Sequence, residues 1–225
     1  LKSYFSLLTR FEIKLAPYSR VKFSYSLLPD YYLRTYIDRD LVPIDYYPCY
    51  FSNETIYISY SHKLPISKTW ADYRFVINNQ FYNKYFTEFD SKIYGIELTL
   101  KSKKIKSYYS ALTFLYYNSN NISYDASQMI ESAKMDRSYI RNGVKIYIKK
   151  TFKNLFLSNI GFKFYFNHRY YDLDSWFYNS DNWKAYFDYD FRLEASKKIN
   201  KSIDVGIGVR HFSRDVDSSN NSEVS

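Results

Sequence analysis

The chain has 225 residues, a net charge of +9, one cysteine and many aromatic residues, with 28 Tyr and 18 Phe beside 5 Gly and 5 Pro. This aromatic content excludes a disordered chain, and the lack of any run of about 18 apolar residues excludes a helical membrane protein. The single Cys49 excludes an intrachain disulfide framework and provides no metal or redox motif.

Apolar and polar residues alternate with a period of two along the whole chain, which predicts an all-β protein. In the first predicted strand, Phe11 and Ile13 point one way and Glu12 and Lys14 the other. The segment 122–142 has helical spacing and is interpreted as a long loop containing a short helix. The predicted strands cover residues 6–15, 21–37, 55–64, 73–85, 92–100, 108–117, 143–150, 159–170, 184–196 and 203–212.

The predicted connections are short after odd-numbered strands and generally long after even-numbered ones. The short ones are basic and read "APYSR", "KLPISK", "KSKKIKS", "KKTFKNLFLS" and "SKKINKS". The long ones are mostly acidic and include 38–53, 122–142, 172–183 and the tail after Arg214. Because the basic excess lies at one end of the strands and not along one face, we expect no nucleic-acid groove.

A weak repeat marks three places where strands run into long loops. The segments "LRTYIDRD" (33–40), "HRYYDLD" (168–174) and "RHFSRDVD" (210–217) each combine a basic residue, an aromatic residue and closely spaced aspartates. We interpret the repeat as a duplicated hairpin with an ion-paired rim. The alternative is that these aspartates bind a divalent cation, although none has the spacing of a single-loop calcium motif. We predict no cofactor and no dedicated metal site.

Alternation alone fits a soluble sandwich, with the apolar face buried, and a membrane barrel, with that face in lipid. The length of the segments favours the barrel, because nine to eleven residues suffice for a tilted strand to cross a bilayer. Aromatic residues crowd the strand ends, including Trp70, as in the girdles of membrane barrels. In a soluble core, so many buried Tyr hydroxyls would be hard to satisfy. We therefore predict an antiparallel, up-and-down transmembrane β-barrel whose charged face lines the lumen.

The pattern resembles the Gram-negative outer-membrane β-barrel class over essentially the whole chain. The stretches "RYYDLD" and "RHFSRDVDS" are similar to those in barrels that follow helical-repeat domains in exporters. The resemblance implies an outer-membrane location in contact with the lipid bilayer and a polysaccharide or lipoprotein cargo. From the acidic, Tyr-rich loops we also expect protein partners, bound at the long loops or at the missing termini. The chain departs from the class in stopping at "NNSEVS", without a C-terminal aromatic residue. This and the parity of the connections lead us to expect a single domain, 1–225, that is part of a barrel of twelve or more strands.

The charged face supplies the candidate functional residues. We predict that the lumen is lined by Arg10, Glu12, Lys14, Lys22, Asp30, Arg34, Arg74, Asn78, Glu97, Lys101, Lys145, Lys163, Arg169, Asp188, Asp190, Arg192, Glu194, Asp204 and Arg210. Both signs of charge occur, with Lys and Arg in excess, so an open lumen would favour anions mildly. The expected function is that of a pore, an export channel or a membrane anchor.

Three alternatives remain at this stage. The first is a non-conducting scaffold barrel that holds surface partners. The second is a soluble β-sandwich that binds carbohydrate, with Trp176 and Trp183 as stacking platforms. The third, a membrane-embedded enzyme, is disfavoured. His62 and His211 fall in the lipid-facing phase, and the adjacent Ser61 must point to the face opposite His62.

Overall fold

The structure is a computed structural model that describes residues 5–38, 45–65, 68–83, 86, 89–105, 107–123, 138–152, 156–172, 183–199 and 203–218. All ten predicted strands are present, and they form one antiparallel sheet in chain order. The strands are β1 Leu7–Ala16, β2 Ser19–Asp38, β3 Asp45–Lys63, β4 Thr69–Tyr82, β5 Ser91–Ile105, β6 Tyr108–Asn121, β7 Tyr139–Thr151, β8 Asn159–Asp172, β9 Trp183–Lys198 and β10 Asp204–Ser218. The prediction of an all-β, antiparallel, up-and-down fold is confirmed.

β5 shows how the sequence produces two different faces. From Ser91 to Glu97 each odd-numbered residue is buried and each even-numbered residue is exposed, as the two-residue period of a strand requires. Glu97 is 7% exposed, whereas its neighbour Ile96 is 51% exposed. The charged residue is therefore buried and the apolar residue exposed. We call the face of Glu97 the polar face and that of Ile96 the apolar face.

The strand ladders extend this division to the whole sheet. The register places the following large, exposed hydrophobic side chains on the apolar face: Phe11, Phe23, Ile58, Phe75, Ile96, Phe114, Phe191, Leu193, Ile207 and Val209. The same register places the buried polar residues on the polar face: Thr55, Ser61, Asn78, Ser91, Glu97, Ser119, Asn167, Asp188 and Asp190. The sheet thus inverts the burial pattern of a soluble protein.

The polar face is concave. A cavity of about 260 Å³ on this face is bordered by β3, β4, β5, β6 and β7, from Asn53 to Arg141. On a flat sheet the outer two of five strands would lie about 19 Å apart, at about 4.8 Å per step. So small a cavity can contact all five strands because the sheet curls around it. Within the described ranges, β1 pairs with β2 alone and β10 with β9 alone.

The strand bounds correct several sequence predictions. β3 begins at Asp45, ten residues before the predicted start, so more than half of the predicted loop at 38–53 is strand. β5 continues through most of "KSKKIKS" to Ile105, and β10 runs on to Ser218. The predicted helical segment 122–142 ends in β7, and its residues 124–137 lie outside the described residues. With the observed strand bounds, the connections that follow even-numbered strands are still generally longer than those that follow odd-numbered strands.

The early start of β3 depends on two register shifts in β2. The pairing shifts by one residue between Leu28 and Tyr31, and again between Tyr32 and Arg34, as at β-bulges. The residues beyond the first shift pair through aromatic contacts, with the Tyr31 and Phe51 ring centroids 5.7 Å apart. The sequence prediction carried β2 to Ile37, close to its observed end at Asp38, but it assigned the paired residues 45–53 of β3 to a loop.

The connection between β4 and β5 is tied to the sheet by Asp90. Its carboxylate accepts a hydrogen bond from the Tyr82 backbone N–H at 2.5 Å, and its carbonyl accepts one from Ile122 N–H at 3.1 Å. Burial raises the pKa of Asp90 above its usual value, an effect that the hydrogen bond from Tyr82 partly offsets.

Candidate functional site

The polar face carries a row that crosses the whole sheet, with one residue from each strand directly opposite the next. The row reads Glu12, Lys22, Ser59, Arg74, Glu97, Leu115, Gly143, Asn167, Asp188 and Arg214. Neighbours in it form ion pairs, including Lys22 with Glu12 at 3.0 Å and Arg74 with Glu97 at 2.9 Å. Opposite charges across adjacent strands stabilise the sheet, so this row is the central feature of the polar face.

Glu97 is the hub of this row. Its carboxylate accepts hydrogen bonds from the Arg74 guanidinium at 2.9 Å and from the Tyr117 hydroxyl at 2.7 Å. The Lys145 ammonium, on the second strand away, lies 3.5 Å from the same carboxylate. Three strands therefore converge on one buried charge, which explains how a carboxylate can be stable there.

A second cluster joins β9 to β10. The Asp190 carboxylate forms ion pairs with Arg192 at 2.7 Å and with Arg210 at 3.0 Å. The Asp188 carboxylate forms an ion pair with Arg214 at 2.5 Å and accepts a hydrogen bond from the Asn167 amide at 3.1 Å. Both Arg210 and Arg214 present two nitrogens to their carboxylate. Such forked contacts fix orientation as well as charge, and here they hold the edge strand β10 to β9.

Other predicted residues lie on the same face with partners of their own. Lys101 pairs with Asp72, and Lys163 pairs with Glu194 at 2.6 Å. Asn78 donates to the Thr55 hydroxyl at 2.6 Å.

Three more of the predicted lumen-lining residues lie towards the edges of the sheet. By register, Arg10 and Lys14 share the face of Glu12, opposite Ser24 and Arg20. Asp204 lies opposite Lys198 at the start of β10.

Two predicted residues lie where β2 is irregular. Asp30 falls inside the first register shift, so the two-residue period does not assign it to a face. The backbone of Arg34 lies opposite Cys49 after the second shift.

The sequence prediction missed several residues of the polar face, among them Arg20, Asp72, Arg141 and Arg214. Each lies just outside a predicted strand end and inside the observed strand. Extending the alternation by a few residues would have found them. Tyr117 was missed for another reason, since it is uncharged and lies in the poorly alternating β6.

Gly95 makes room for Tyr117 in this arrangement. A Cβ atom at Gly95 would lie 2.3 Å from two carbons of the Tyr117 ring, so we expect Gly95→Ala to displace the ring and its hydrogen bond to Glu97. The expected loss is about 2 kcal/mol of folding free energy. Gly161→Ala is the matched control on the same face, because its new Cβ would have no neighbour closer than 3.7 Å. Chemical denaturation of the two variants in lipid vesicles tests this, and equal stability would contradict it.

The strand register assigns a face to two histidines and to Trp70. His62 lies on the apolar face, stacked against Tyr60 and Tyr73 at 5.3 and 5.8 Å, whereas Ser61 is on the polar face. His211, opposite Phe191, is also on the apolar face. Trp70, expected in an outer girdle, instead lies on the polar face, with the Arg20 guanidinium 5.7 Å above its ring. That part of the girdle prediction is wrong.

The aspartate repeat forms no metal site in the part of the chain that the structure describes. No group of three or more His, Cys, Asp or Glu residues there could hold an ion. Asp40, Asp174 and Trp176 lie outside the described residues.

Within the described ranges, no helix combines the length and the hydropathy needed to cross a bilayer. Comparison with protein-family models found no matching family, and comparison with curated proteins found no match either.

Proposed function

We propose that this chain forms the wall of a transmembrane β-barrel in the outer membrane of a Gram-negative bacterium, and that the barrel serves as a pore or export channel. The observation that carries the proposal is the inverted burial, with hydrophobic side chains exposed on one face and charged side chains buried on the other. Lipid is the solvent that suits such an exposed face, and water in a lumen suits the opposite one. The soluble sandwich would instead need a second layer over the apolar face.

The edges of the sheet are consistent with a barrel. Unpaired strand edges are strongly disfavoured in lipid, and β1 and β10 run antiparallel because ten strands alternate in direction. In the intact barrel, we propose, these two edges are paired with each other or through additional strands.

The water-filled lumen is supported by charged groups that stay half-exposed on the concave face. The side chains of Arg74, Lys145 and Arg214 are 49%, 44% and 46% exposed although each pairs with a carboxylate. An exported polysaccharide or lipoprotein remains a prediction from the resemblance, and partners bound at the long loops remain a prediction from the sequence.

Single-channel conductance of the full-length protein in a planar bilayer tests the proposal. We expect stable steps with a weak preference for anions, because Lys and Arg exceed Asp and Glu among the predicted lumen residues. Silence from a folded, heat-modifiable protein would contradict the pore and favour a membrane anchor. A protein that is monomeric and soluble without detergent would contradict the membrane location itself.

A further inference from the structure

Two arginines lie side by side on the polar face without a carboxylate between them. Arg141 of β7 and Arg169 of β8 are directly opposite in the ladder, which places their Cβ atoms roughly 5 Å apart. Like charges in this relation destabilise a sheet. Within the described ranges neither guanidinium forms an ion pair, in contrast to Arg74, Arg210 and Arg214.

Neighbouring carboxylates are already engaged elsewhere. Glu97 is occupied by Arg74, Lys145 and Tyr117. Asp188, near Arg169, accepts Arg214 and Asn167. Neither guanidinium therefore has a carboxylate of its own among the described residues, although Asp188 lies close enough to attract Arg169 electrostatically.

Aromatic rings hold both arginines in place. The Arg141 guanidinium carbon lies 4.4 Å from the centroid of the Tyr117 ring, and that of Arg169 lies 5.0 Å from the centroid of Tyr139. Arg169 also donates a hydrogen bond to the Tyr171 hydroxyl at 3.1 Å. The buried Nε atom of each arginine has no hydrogen-bond partner among the described residues. Cation–π contacts of this kind orient a guanidinium and leave its edge available to an anion.

Arg141 and Tyr139 also line the cavity of about 260 Å³ at the centre of the sheet. Tyr57 and Gln80 line the same cavity. The side-chain amide of Gln80 and the hydroxyls of Tyr57 and Tyr139 make no hydrogen bond to another described residue. The cavity is slightly smaller than the usual range for ligand pockets, about 300 to 1,000 Å³. It therefore suits a small polar molecule, or one unit of a longer one.

We propose that Arg141 and Arg169 form an oxyanion-binding site on the inner wall, for a small polar molecule that carries a carboxylate or a phosphate group. The planar guanidinium fork matches both groups, and the bound anion would offset the repulsion between the two arginines. Tyr57, Gln80 and Tyr139 would hydrogen-bond the polar body of the ligand. The site rests on the proposed function, since the ligand would reach it through the lumen.

Calorimetric titration of the folded, detergent-solubilised chain tests the site without requiring conduction. The probes are glucuronate and glucose 6-phosphate, with neutral glucose as the control. We expect at least one anionic probe to bind, and Arg141→Gln and Arg169→Gln each to weaken binding about tenfold or more, because each removes charge-assisted hydrogen bonds. Lys163→Gln is the matched control. It removes one positive charge from the same face, but from a lysine that is already paired with Glu194.

The outcomes separate this site from the pore. Binding of glucuronate alone assigns the site to carboxylates, binding of glucose 6-phosphate alone assigns it to phosphates, and binding of both assigns it to either oxyanion. Equal binding of glucose would overturn the inference, as would equal weakening by Lys163→Gln. A conducting protein that binds neither anion would overturn the site and leave the pore standing. A silent protein that binds an anion at Arg141 and Arg169 would overturn the pore and leave the oxyanion site standing.

Discussion

Replacing Ile96 by lysine is expected to destabilise the folded protein in a lipid bilayer by about 2 to 4 kcal/mol. A lysine facing lipid near the bilayer midplane has a cost of that size in membrane barrels. Ile96 lies in the centre of β5, on the apolar face, and is 51% exposed. The measurement is the free energy of unfolding from urea titration in phospholipid vesicles.

Thr99→Lys provides the matched control on the same strand. Thr99 lies on the polar face opposite Asp72, so the new ammonium group would have a carboxylate beside it. Loss of the 2.9 Å hydrogen bond between Thr99 and Thr113 limits the expected cost to about 1 kcal/mol. Equal costs for the two lysines would mean that the two faces meet the same surroundings, which contradicts the membrane interpretation.

Glu97→Ala is the second substitution with a large expected effect. It would leave Arg74, Lys145 and Tyr117 without the carboxylate on which they converge. Removing one partner of a fully buried ion pair costs about 3 to 5 kcal/mol. Because Arg74 and Lys145 are half-exposed and water screens such groups, we expect a loss of about 2 kcal/mol in the same denaturation assay.

Glu194→Ala serves as the comparison for Glu97→Ala. Glu194 pairs with Lys163 alone among the described residues, and both side chains are nearly half-exposed. Exposed pairs contribute about 0 to 1 kcal/mol. If Glu194→Ala destabilised the protein as much as Glu97→Ala, the hub would have no special role.

The strands and their faces were largely predictable from the sequence, because a two-residue period has one structural meaning in a sheet. In β5, buried and exposed residues alternate without interruption from Ser91 to Glu97, and Ile96 and Glu97 lie on opposite faces. The register shifts of β2 were not predictable in this way. Each inserts one residue, so simple counting fails from Asp30 onwards.

The ion-pair partners were harder to predict than the faces. Asp72 and Arg214 lie near strand ends, where the strand pairing continues beyond the residues that alternate clearly between apolar and polar. The proximity of Arg141 and Arg169 could be recognised only from the register between β7 and β8. Periodicity within a single strand does not provide that register. The alternating pattern is the same whichever face is buried, so the prediction that the charged face is the inner one depended on the length of the segments and on their aromatic residues.

A single-cysteine scan along β5 tests whether the apolar face contacts lipid. The chain has one cysteine, Cys49, so a Cys49→Ser background allows single probes at Tyr94 and Ile96 on one face and at Ile93 and Glu97 on the other. Each cysteine is labelled with a fluorophore in vesicles whose acyl chains are brominated. We predict strong quenching at positions 94 and 96 and weak quenching at 93 and 97. Uniform quenching along the strand, or the opposite alternation, would mean that the apolar face does not contact lipid.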